Sequence, residues 1–346
     1  MERLLIIDPG DTTTRAAAYD LEGAEPRLLG RSELESAALI VDPGTPRAPG
    51  IAIVDPVGGA AALVGEPAAD LAGADAFLAA SPDAWKLHAI VRALLYRHFA
   101  GGERVRVLLI ADAEGEKAER LAELAAAIDG ERIDVTVAVG LEGRLDARTF
   151  EVGAEVEQAG LCLHERADAL GLFDGDRPVA ALDIGHRTSR FSLLDPEAGI
   201  VDTLTIPTGG ATYVEHVLSR GRELGALSCR ETPVLRQIRA GTALALDLGG
   251  VTVLAGRLLD APHRALDDAL AAEIGSRLSR RVEQGAPPPG ALLVSGALAR
   301  AHLPTLANRL AARGHPFARQ AALPPAPTPL IEGALRLALG AGATLG

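Results

Sequence analysis

Apolar runs of strand length alternate with helical repeats along this chain of 346 residues. The segment RLLIID (3–8) is a short apolar run that ends at Pro9-Gly10, which predicts a buried strand. RAAAYDL, after the polar turn, predicts the second strand of a hairpin. The pattern then predicts an α/β architecture, with a helix at 83–99, a strand at 104–110, a helix at 116–128 and a strand at 133–139.

The rest of the chain continues this alternation. Pro and Gly are frequent over 26–82, which predicts short strands and loops there. Further strands are predicted at 148–156 and 291–299, and further helices at 157–171, 210–225, 263–283 and 330–339.

The opening pattern returns in the second half of the chain. When Asp8 is aligned with Asp183, an offset of 175 residues, five of thirteen positions are identical. Each copy has an apolar strand before the Asp and a second strand after the turn. A duplication at about half the chain length predicts two similarly built halves with a cleft between them. The identical pairs are Asp8/Asp183, Gly10/Gly185, Thr13/Thr188, Arg15/Arg190 and Asp20/Asp195.

Composition narrows the classes of protein. The net charge of −12 argues against a broad affinity for nucleic acid, and two cysteines exclude a disulfide framework. The chain has no apolar run of membrane-spanning length, and Asp8 comes too early for a signal peptide, so we expect a cytoplasmic protein that does not bind membranes. Neither lysine, Lys86 or Lys117, follows a glycine loop, which excludes a Walker-type phosphate loop. The eight histidines show no metal-ligand spacing.

The two turns, DPGDTTTR and DIGHRTSR, have the chemistry of phosphate binding. A glycine lets backbone N–H groups approach a phosphate oxygen without a Cβ in the way, and the hydroxyls of Thr12, Thr13 and Thr188 add donors. An Asp at a strand end can hold Mg²⁺ directly or through water, and Arg15 can screen the phosphates. A single Asp-x-Gly hairpin is a common connector, but two copies at equivalent places favour phosphate binding. DLGGVT (247–252) is interpreted as a plain hairpin turn.

These turns resemble the two phosphate motifs of the actin, sugar-kinase and chaperone-ATPase superfamily. Asp8-Pro-Gly10 to Arg15 matches the first motif, in which the family usually has Lys where Arg15 stands. Asp183-Ile-Gly185-His186-Arg187-Thr188 matches the second, with His186 in place of a second Gly and Arg190 in place of a final Asp. The layout is most similar to ParM-type and archaeal actin-like proteins.

Three further segments carry the resemblance. Val294-Ser295-Gly296-Ala297 resembles the adenosine motif, with one glycine of the usual pair missing. Pro207-Thr208-Gly209-Gly210 resembles the turn that opens the next helix in actin-like proteins. Ile331-Glu332-Gly333-Ala334 is similar to the C-terminal connecting helix, whose small residues allow close helix approach.

The resemblance also implies a residue that positions the attacking water. The family places a Glu or Gln after the strand that precedes the second phosphate motif, and Glu155 fits this place best. Glu157 and Gln158 are close competitors, because the family's preceding Pro is Ala154 here. Such a residue orients or deprotonates water for in-line attack on the γ-phosphate.

The fold that the resemblance implies is an actin-like, ribonuclease H-like duplication: two α/β domains with a nucleotide cleft between them. Domain I is expected at 1–178, with a small inserted subdomain at about 26–82 and the C-terminal helix 317–346, and domain II at 179–316. Asp8 and Asp183 would organise Mg²⁺. The nucleotide, ATP with GTP as the alternative, would be held by Gly10, Asp11, Thr12, Thr13, Arg15, Gly185, His186, Arg187, Thr188, Gly209, Gly210, Ser295, Gly296 and Ala297.

The function implied is an ATPase that polymerises head-to-tail into nucleotide-dependent filaments. Plasmid or chromosome segregation, with a DNA-binding adaptor protein as partner, is the first role implied, and a cytoskeletal role is the second. Two alternatives stay open. One is a small-molecule kinase of the same superfamily, and the other is a non-polymerising adaptor similar to the actin-like pilus or division proteins.

Overall fold

The computed structural model describes residues 2–23, 25–41, 51–54, 61–78, 83–112, 114–139, 144–226, 231–240, 245–248, 250–296, 298–323 and 329–340. They form two compact units. The first comprises Met1–Cys162 with Leu330–Gly346, and the second comprises Leu163–Pro329. No helix of the described residues is long and apolar enough to cross a membrane.

A nine-stranded sheet is the centre of the first unit, in the order β3-β2-β1-β7-β9-β8-β5-β6-β4. Its strands are β1 Glu2–Pro9, β2 Thr13–Asp20, β3 Arg27–Glu35, β4 Ala38–Val41, β5 Ile51–Val54, β6 Ala61–Val64, β7 Arg104–Ala111, β8 Arg132–Val139 and β9 Arg144–Gln158. Its helices are α1 Glu66–Ala72, α2 Ala84–His98, α3 Glu116–Ile128, the start of α4 Ala159–Ala169 and, from the C-terminal segment, α9 Pro329–Leu339.

Strand β1 lies inside this sheet, between β2 and β7, and its run of Leu and Ile is apolar on both faces. It pairs antiparallel with β2 and parallel with β7, which pairs parallel with β9. One face packs on α2 and α3 through residues such as Leu5, Ile7 and Leu94. Helix α9 packs closely against α4, since a Cβ on Gly333 would lie 2.0 Å from the Cys162 carbonyl oxygen.

Residues 37–77 add a small apolar cluster of their own to the first unit. Ala37, Leu63 and Phe77 are buried in it with Ala68 and Ala69 of α1. The short strands predicted for this Pro- and Gly-rich region are present as β4, β5 and β6.

The second unit has a five-stranded sheet in the order β12-β11-β10-β15-β16, and a separate hairpin. Its strands are β10 Val179–Ile184, β11 Ser189–Asp195, β12 Gly199–Ile206, β13 Ala245–Asp247, β14 Thr252–Leu254, β15 Ala291–Gly296 and β16 Arg319–Ala322. Its helices are α5 Ala211–Glu223, α6 Glu231–Ala240, α7 Ala255–Glu283 and α8 Ala299–Ala312. The core lies where α5, α7 and α8 pack on the sheet.

The predicted duplication is present as a repeated sheet. In each unit one strand, β1 or β10, has two antiparallel strands on one side of it in the sheet and two parallel strands on the other. The sheet orders are β3-β2-β1-β7-β9 and β12-β11-β10-β15-β16. The offset of 175 holds in the register, because Asp8 pairs with Arg15 and Asp183 pairs with Arg190. DLGGVT forms the hairpin that was predicted for it, with Asp247 opposite Thr252.

The unit boundaries differ from the predicted limits at 178 and 317. Residues 163–178 belong to the second unit, where His164 Nε2 lies 2.8 Å from the Asp195 carbonyl oxygen and Arg177 donates to the Pro289 carbonyl. Residues 317–329 also belong there, because β16 pairs with β15. Contacts between residues so far apart in the sequence leave no trace in local hydrophobic periodicity.

Candidate functional site

The first predicted phosphate turn is a tight turn at the carboxyl end of β1. A Cβ on Gly10 would lie 2.6 Å from the Thr13 carbonyl oxygen, so only glycine fits there. The Ser36 amide donates to the Thr12 carbonyl, and the Thr14 and Ser36 hydroxyls lie 2.8 Å apart. The Thr13 hydroxyl is buried and has no hydrogen-bond partner among the described residues. These hydrogen bonds tie the turn to the segment after β3, and one of its buried hydroxyls lacks a partner among the described residues.

The second predicted turn repeats this geometry in the second unit. A Cβ on Gly185 would lie 2.6 Å from the Thr188 carbonyl oxygen, the same close approach as at Gly10. His186 is half-buried, whereas Arg187 and Thr188 are exposed. The Ser189 hydroxyl donates to the Thr208 carbonyl at 2.8 Å and ties the turn to the next segment.

The turn that opens α5 rests directly on the second phosphate turn. The amides of Gly210 and Ala211 donate to the carbonyls of Gly185 and His186, at 2.9 and 2.7 Å. A Cβ on Gly209 would lie 2.5 Å from the Gly185 carbonyl oxygen. The resemblance had placed these two glycines near the nucleotide, and the structure brings them to the turn.

The predicted adenosine motif lies beside the second turn on the neighbouring strand. Ser295 pairs with Asp183 and Gly296 with Ile184 in the parallel ladder of β10 and β15. Gly296 has φ +109°, and a Cβ there would lie 2.4 Å from the Ile184 carbonyl oxygen. Ala297, the last residue of this prediction, lies outside the described residues. Three predicted motifs thus meet at the carboxyl end of parallel strands, the usual place for ligands in α/β sheets.

Lys117 reaches the first turn, although no motif in the sequence predicts it there. It stands in the first turn of α3, which follows the carboxyl end of β7, and its Nζ lies 3.0 Å from Asp11 Oδ1. The two residues are 106 positions apart, and this separation conceals the contact from sequence patterns.

The three candidates for positioning water occupy different places on β9. Glu155 lies opposite Leu108, on the strand rather than at its end, and accepts a hydrogen bond of 2.6 Å from Arg106 Nε. Glu157 lies opposite Ile110, one register step beyond the Ile7–Leu109 pair, and so at the level of Asp8. Gln158 ends the strand, so the predicted helix at 157 begins two residues later, at Ala159.

In each sheet, one row of directly paired residues lies at the level of the Asp of the turn motif, Asp8 in the first unit and Asp183 in the second. We call it the carboxyl-end row. Its members share a face of the sheet, because directly paired residues point the same way. In the first unit, two strand spacings separate Asp8 from Glu157, or about 10 Å. The rows are Arg15, Asp8, Ile110 and Glu157 in the first unit and Arg190, Asp183, Ser295 and Leu323 in the second.

A buried cluster of histidines lies apart from these turns, in the second unit. His302 Nδ1 is 2.7 Å from Asp267 Oδ1, and the Tyr213 hydroxyl is 2.9 Å from both His263 Nδ1 and His302 Nε2. Burial and the charge of His302 lower the pKa of His263. Burial also raises the pKa of Tyr213, with Asp267 adding to the effect.

The histidine cluster has metal-ligand chemistry but not the geometry for one shared ion. His263, Asp267 and His302 bring their donor atoms within 4.8 Å of one another. The two imidazoles are stacked, with centroids 4.2 Å apart and planes 6° from parallel. A ring nitrogen binds a metal in the plane of its ring, so a single ion cannot be ligated by both rings in this arrangement.

No protein-family model and no curated protein matches the sequence. The fold, in contrast, is similar to solved structures over nearly the whole chain. An archaeal actin homologue in complex with ADP has a TM-score of 0.71 at 11% identity, covering 97% of this chain and 99% of that chain. A 15-stranded ParM filament from Clostridium botulinum gives 0.68 at 11%, covering 97% and 98%, and a MamK double helical filament gives 0.63 at 14%, covering 98% and 99%. These likenesses, together with the repeated sheet, show that the chain has the actin-like fold.

Proposed function

We propose that this chain is an actin-like ATPase that holds the phosphates of one nucleotide with both turns. The observation that carries the proposal is the repeated close approach at Gly10 and Gly185, where a Cβ would lie 2.6 Å from a carbonyl oxygen in each turn. Backbone amides exposed by such turns bind phosphate oxygens. The structure of the archaeal homologue in complex with ADP supports a nucleotide as the ligand.

The remaining ligands follow from their places around the turns. Arg15 lies beside Asp8 in the register and would neutralise phosphate charge. Ser295 and Gly296 would lie under the nucleoside, since the Gly296 backbone takes a conformation that a side chain would strain. Phosphate contacts are proposed for Gly10, Thr12, Thr13, Gly185, His186, Arg187 and Thr188 and for the backbone amide of Asp11, with Gly209 and Gly210 as support and Ala297 as a further nucleoside contact.

Mg²⁺ fits the residues at these strand ends. Asp8 and Asp183 are the next-to-last residues of equivalent strands and carry carboxylates, the ligands that Mg²⁺ prefers. The buried Thr13 hydroxyl has no partner among the described residues. When bound, Mg²⁺ neutralises part of the charge that develops on the phosphates. ATP is the proposed nucleotide, with GTP as the alternative.

Glu157 is the residue we propose for positioning the attacking water. It shares the carboxyl-end row with Asp8, whereas Glu155 lies farther from the strand end and is paired with Arg106. From this place the Glu157 carboxylate would orient a water and accept its proton.

Filament formation is proposed as the output of nucleotide binding. The ParM and MamK neighbours are filament structures, which supports head-to-tail self-association here. A cytoplasmic role in segregation of plasmid or chromosomal DNA through a DNA-binding adaptor protein fits the net charge of −12, because the chain itself then has no need to bind DNA. A cytoskeletal role is the alternative use of the same filament.

Light scattering of the purified protein on addition of Mg-ATP tests the proposal, with pelleting and negative-stain microscopy of the same sample. We expect a rise in scattering and visible filaments for the wild type and for Asp176→Ala, an exposed residue away from the turns. Asp183→Ala should give neither. Filaments that form without nucleotide, or equally well in Asp183→Ala, would contradict the proposal. A flat trace with ATP binding intact would favour the adaptor, and phosphoryl transfer to a small acceptor would favour the kinase.

A further inference from the structure

The first turn carries a carboxylate, Asp11, beside the place proposed for the phosphates, which are also negatively charged. Asp11 directly follows Gly10, whose backbone makes the close approach to Thr13. A carboxylate beside bound phosphates would repel them unless a cation neutralised it. The Lys117 ammonium, 3.0 Å from Asp11 Oδ1, supplies such a cation.

The fold delivers this lysine to the turn from a separate element. Strand β7 runs parallel to β1, so both have their carboxyl ends at the same edge of the sheet. Helix α3 begins at Glu116, five residues after β7 ends at Ala111, and Lys117 is its second residue. The ammonium therefore lies at the edge where Asp8 and Gly10 lie, and it does not depend on the hairpin that forms the turn.

Burial of the pair differs from that of an ordinary surface ion pair. The Lys117 and Asp11 side chains are 24% and 21% exposed, whereas those of Arg120 and Glu123, one turn farther along α3, are 43% and 60% exposed. Partial burial strengthens a charge-assisted contact and still leaves the ammonium open to a ligand. The Thr13 hydroxyl in the same turn is a second donor, buried and without a hydrogen-bond partner among the described residues.

We propose that Lys117 is a phosphate ligand of the first turn, which Asp11 holds in place before the nucleotide binds and shares with the phosphates afterwards. This inference rests on the proposed function and adds to it a cation that the motif of the first turn does not contain. The lysine discriminates by phosphate charge, so its contribution grows from a nucleoside monophosphate to the di- and triphosphate.

Opposite effects of two variants distinguish a ligand from a structural ion pair. Lys117→Met removes the cation, and we expect ATP to bind about tenfold more weakly, the loss typical of a charge-assisted hydrogen bond. Asp11→Asn removes the competitor for the ammonium, and we expect ATP to bind at least as tightly as to the wild type. Lys117→Arg should restore most of the affinity, and Arg120→Met, on the exposed face of α3, should leave it unchanged.

The measurement is fluorescence titration with ATP, ADP and AMP in the presence of Mg²⁺, with thermal unfolding of each variant to establish that it is folded. Equal weakening by Lys117→Met and Asp11→Asn would overturn the inference, because a structural pair loses the same contact from either side. Unchanged ATP affinity in Lys117→Met would overturn it as well. Failure of the wild type to bind any nucleotide would instead refute the proposed function.

Discussion

The two units build the same sheet and place different chemistry on it. Both carboxyl-end rows begin with an Arg opposite an Asp, Arg15 with Asp8 and Arg190 with Asp183. The rows diverge at the next two strands. Where the first unit has Ile110 and Glu157, the second has Ser295 and a buried leucine, Leu323.

This difference indicates that the two copies of the sheet have different proposed roles toward the nucleotide. Both copies keep the glycine turn and the Asp, because both are proposed to hold phosphates. A second carboxylate, Glu157, stands in the row of the first unit, whereas Asp183 is the one carboxylate in the row of the second. A small residue followed by a glycine stands only in the row of the second unit, at Ser295 and Gly296, where a nucleoside needs close approach to the backbone.

The two turns are also supported differently. The first is tied to Ser36, directly after β3, and to α3 through the ion pair of Lys117 with Asp11. The second is tied to the start of α5, whose Gly210 and Ala211 amides donate to its carbonyls. An ion pair from a separate helix thus supports the first turn, and backbone hydrogen bonds from the start of a helix support the second.

The largest expected effect comes from replacing Glu157 of the first carboxyl-end row with leucine, the residue at the corresponding place in the second row. Glu157→Leu removes the proposed water-positioning carboxylate, and we expect ATP hydrolysis to fall about 10²- to 10⁴-fold, the usual contribution of a general base. Nucleotide affinity should change little. Phosphate release in steady state measures the effect, with Glu155→Leu as the matched control two residues earlier on β9. A larger loss in Glu155→Leu than in Glu157→Leu would reverse the assignment.

The second-largest effect is expected from exchanging glycine and alanine at the ends of two equivalent strands. Gly296 and Ala111 occupy equivalent places, at the ends of β15 and β7. Gly296→Ala forces a Cβ to within 2.4 Å of the Ile184 carbonyl oxygen at φ +109°, and we expect it to cost about 2–4 kcal/mol of stability. Ala111→Gly should cost only about 1 kcal/mol. Urea unfolding measures both, and equal costs would show that the two strand ends are interchangeable.

The smallest effect concerns the strand that lies beside each hairpin at the edge of its sheet, β3 in the first unit and β12 in the second. In both units a side chain from a helix contacts this strand. In the first unit His98 Nε2 of α2 lies 2.8 Å from the Ser32 hydroxyl of β3. In the second, Arg277 of α7 donates to Asp202 of β12 at 2.8 Å. The first contact is with a neutral imidazole and the second is an ion pair, so the two should respond differently to acid.

Burial, with the charge of Arg97, lowers the pKa of His98 to about 4. The unfolded chain takes up a proton near pH 6.5 and the native state does not, so stability should fall as the pH drops from 6.5 to 4, by about 2 kcal/mol. The pKa of Asp202 is lowered as well, because the hydrogen bond and charge of Arg277 outweigh the opposing effect of burial. That contact therefore persists over this range. Urea unfolding of His98→Gln at pH 7 and pH 4.5 should show a smaller loss than the wild type, and an identical loss would contradict this account.

Much of the fold could be predicted from local pattern. The predicted helices at 83–99, 116–128 and 330–339 correspond to Ala84–His98, Glu116–Ile128 and Pro329–Leu339. The repeat at offset 175 predicted a hairpin in each half, and both hairpins are present, with Asp8 opposite Arg15 and Asp183 opposite Arg190. Local pattern did not predict β12, α6, α8 or β16.

The rest depended on contacts that are distant in the sequence. Strand β9 continues to Gln158 because β7 offers partners as far as Ala111, and this moved Glu157 from a predicted helix to the end of a strand. Lys117 meets Asp11 across 106 residues, and His263 meets His302 through two helices. Spacing within a motif carries no information about such pairs.

The most direct test of the central claim is to count nucleotides by isothermal titration calorimetry with ATP and Mg²⁺. We predict one nucleotide bound per chain, with at least tenfold weaker binding in Asp8→Ala and in Asp183→Ala taken singly, because both turns are proposed to bind the same phosphates. Two nucleotides per chain, or full affinity in either variant, would contradict the account.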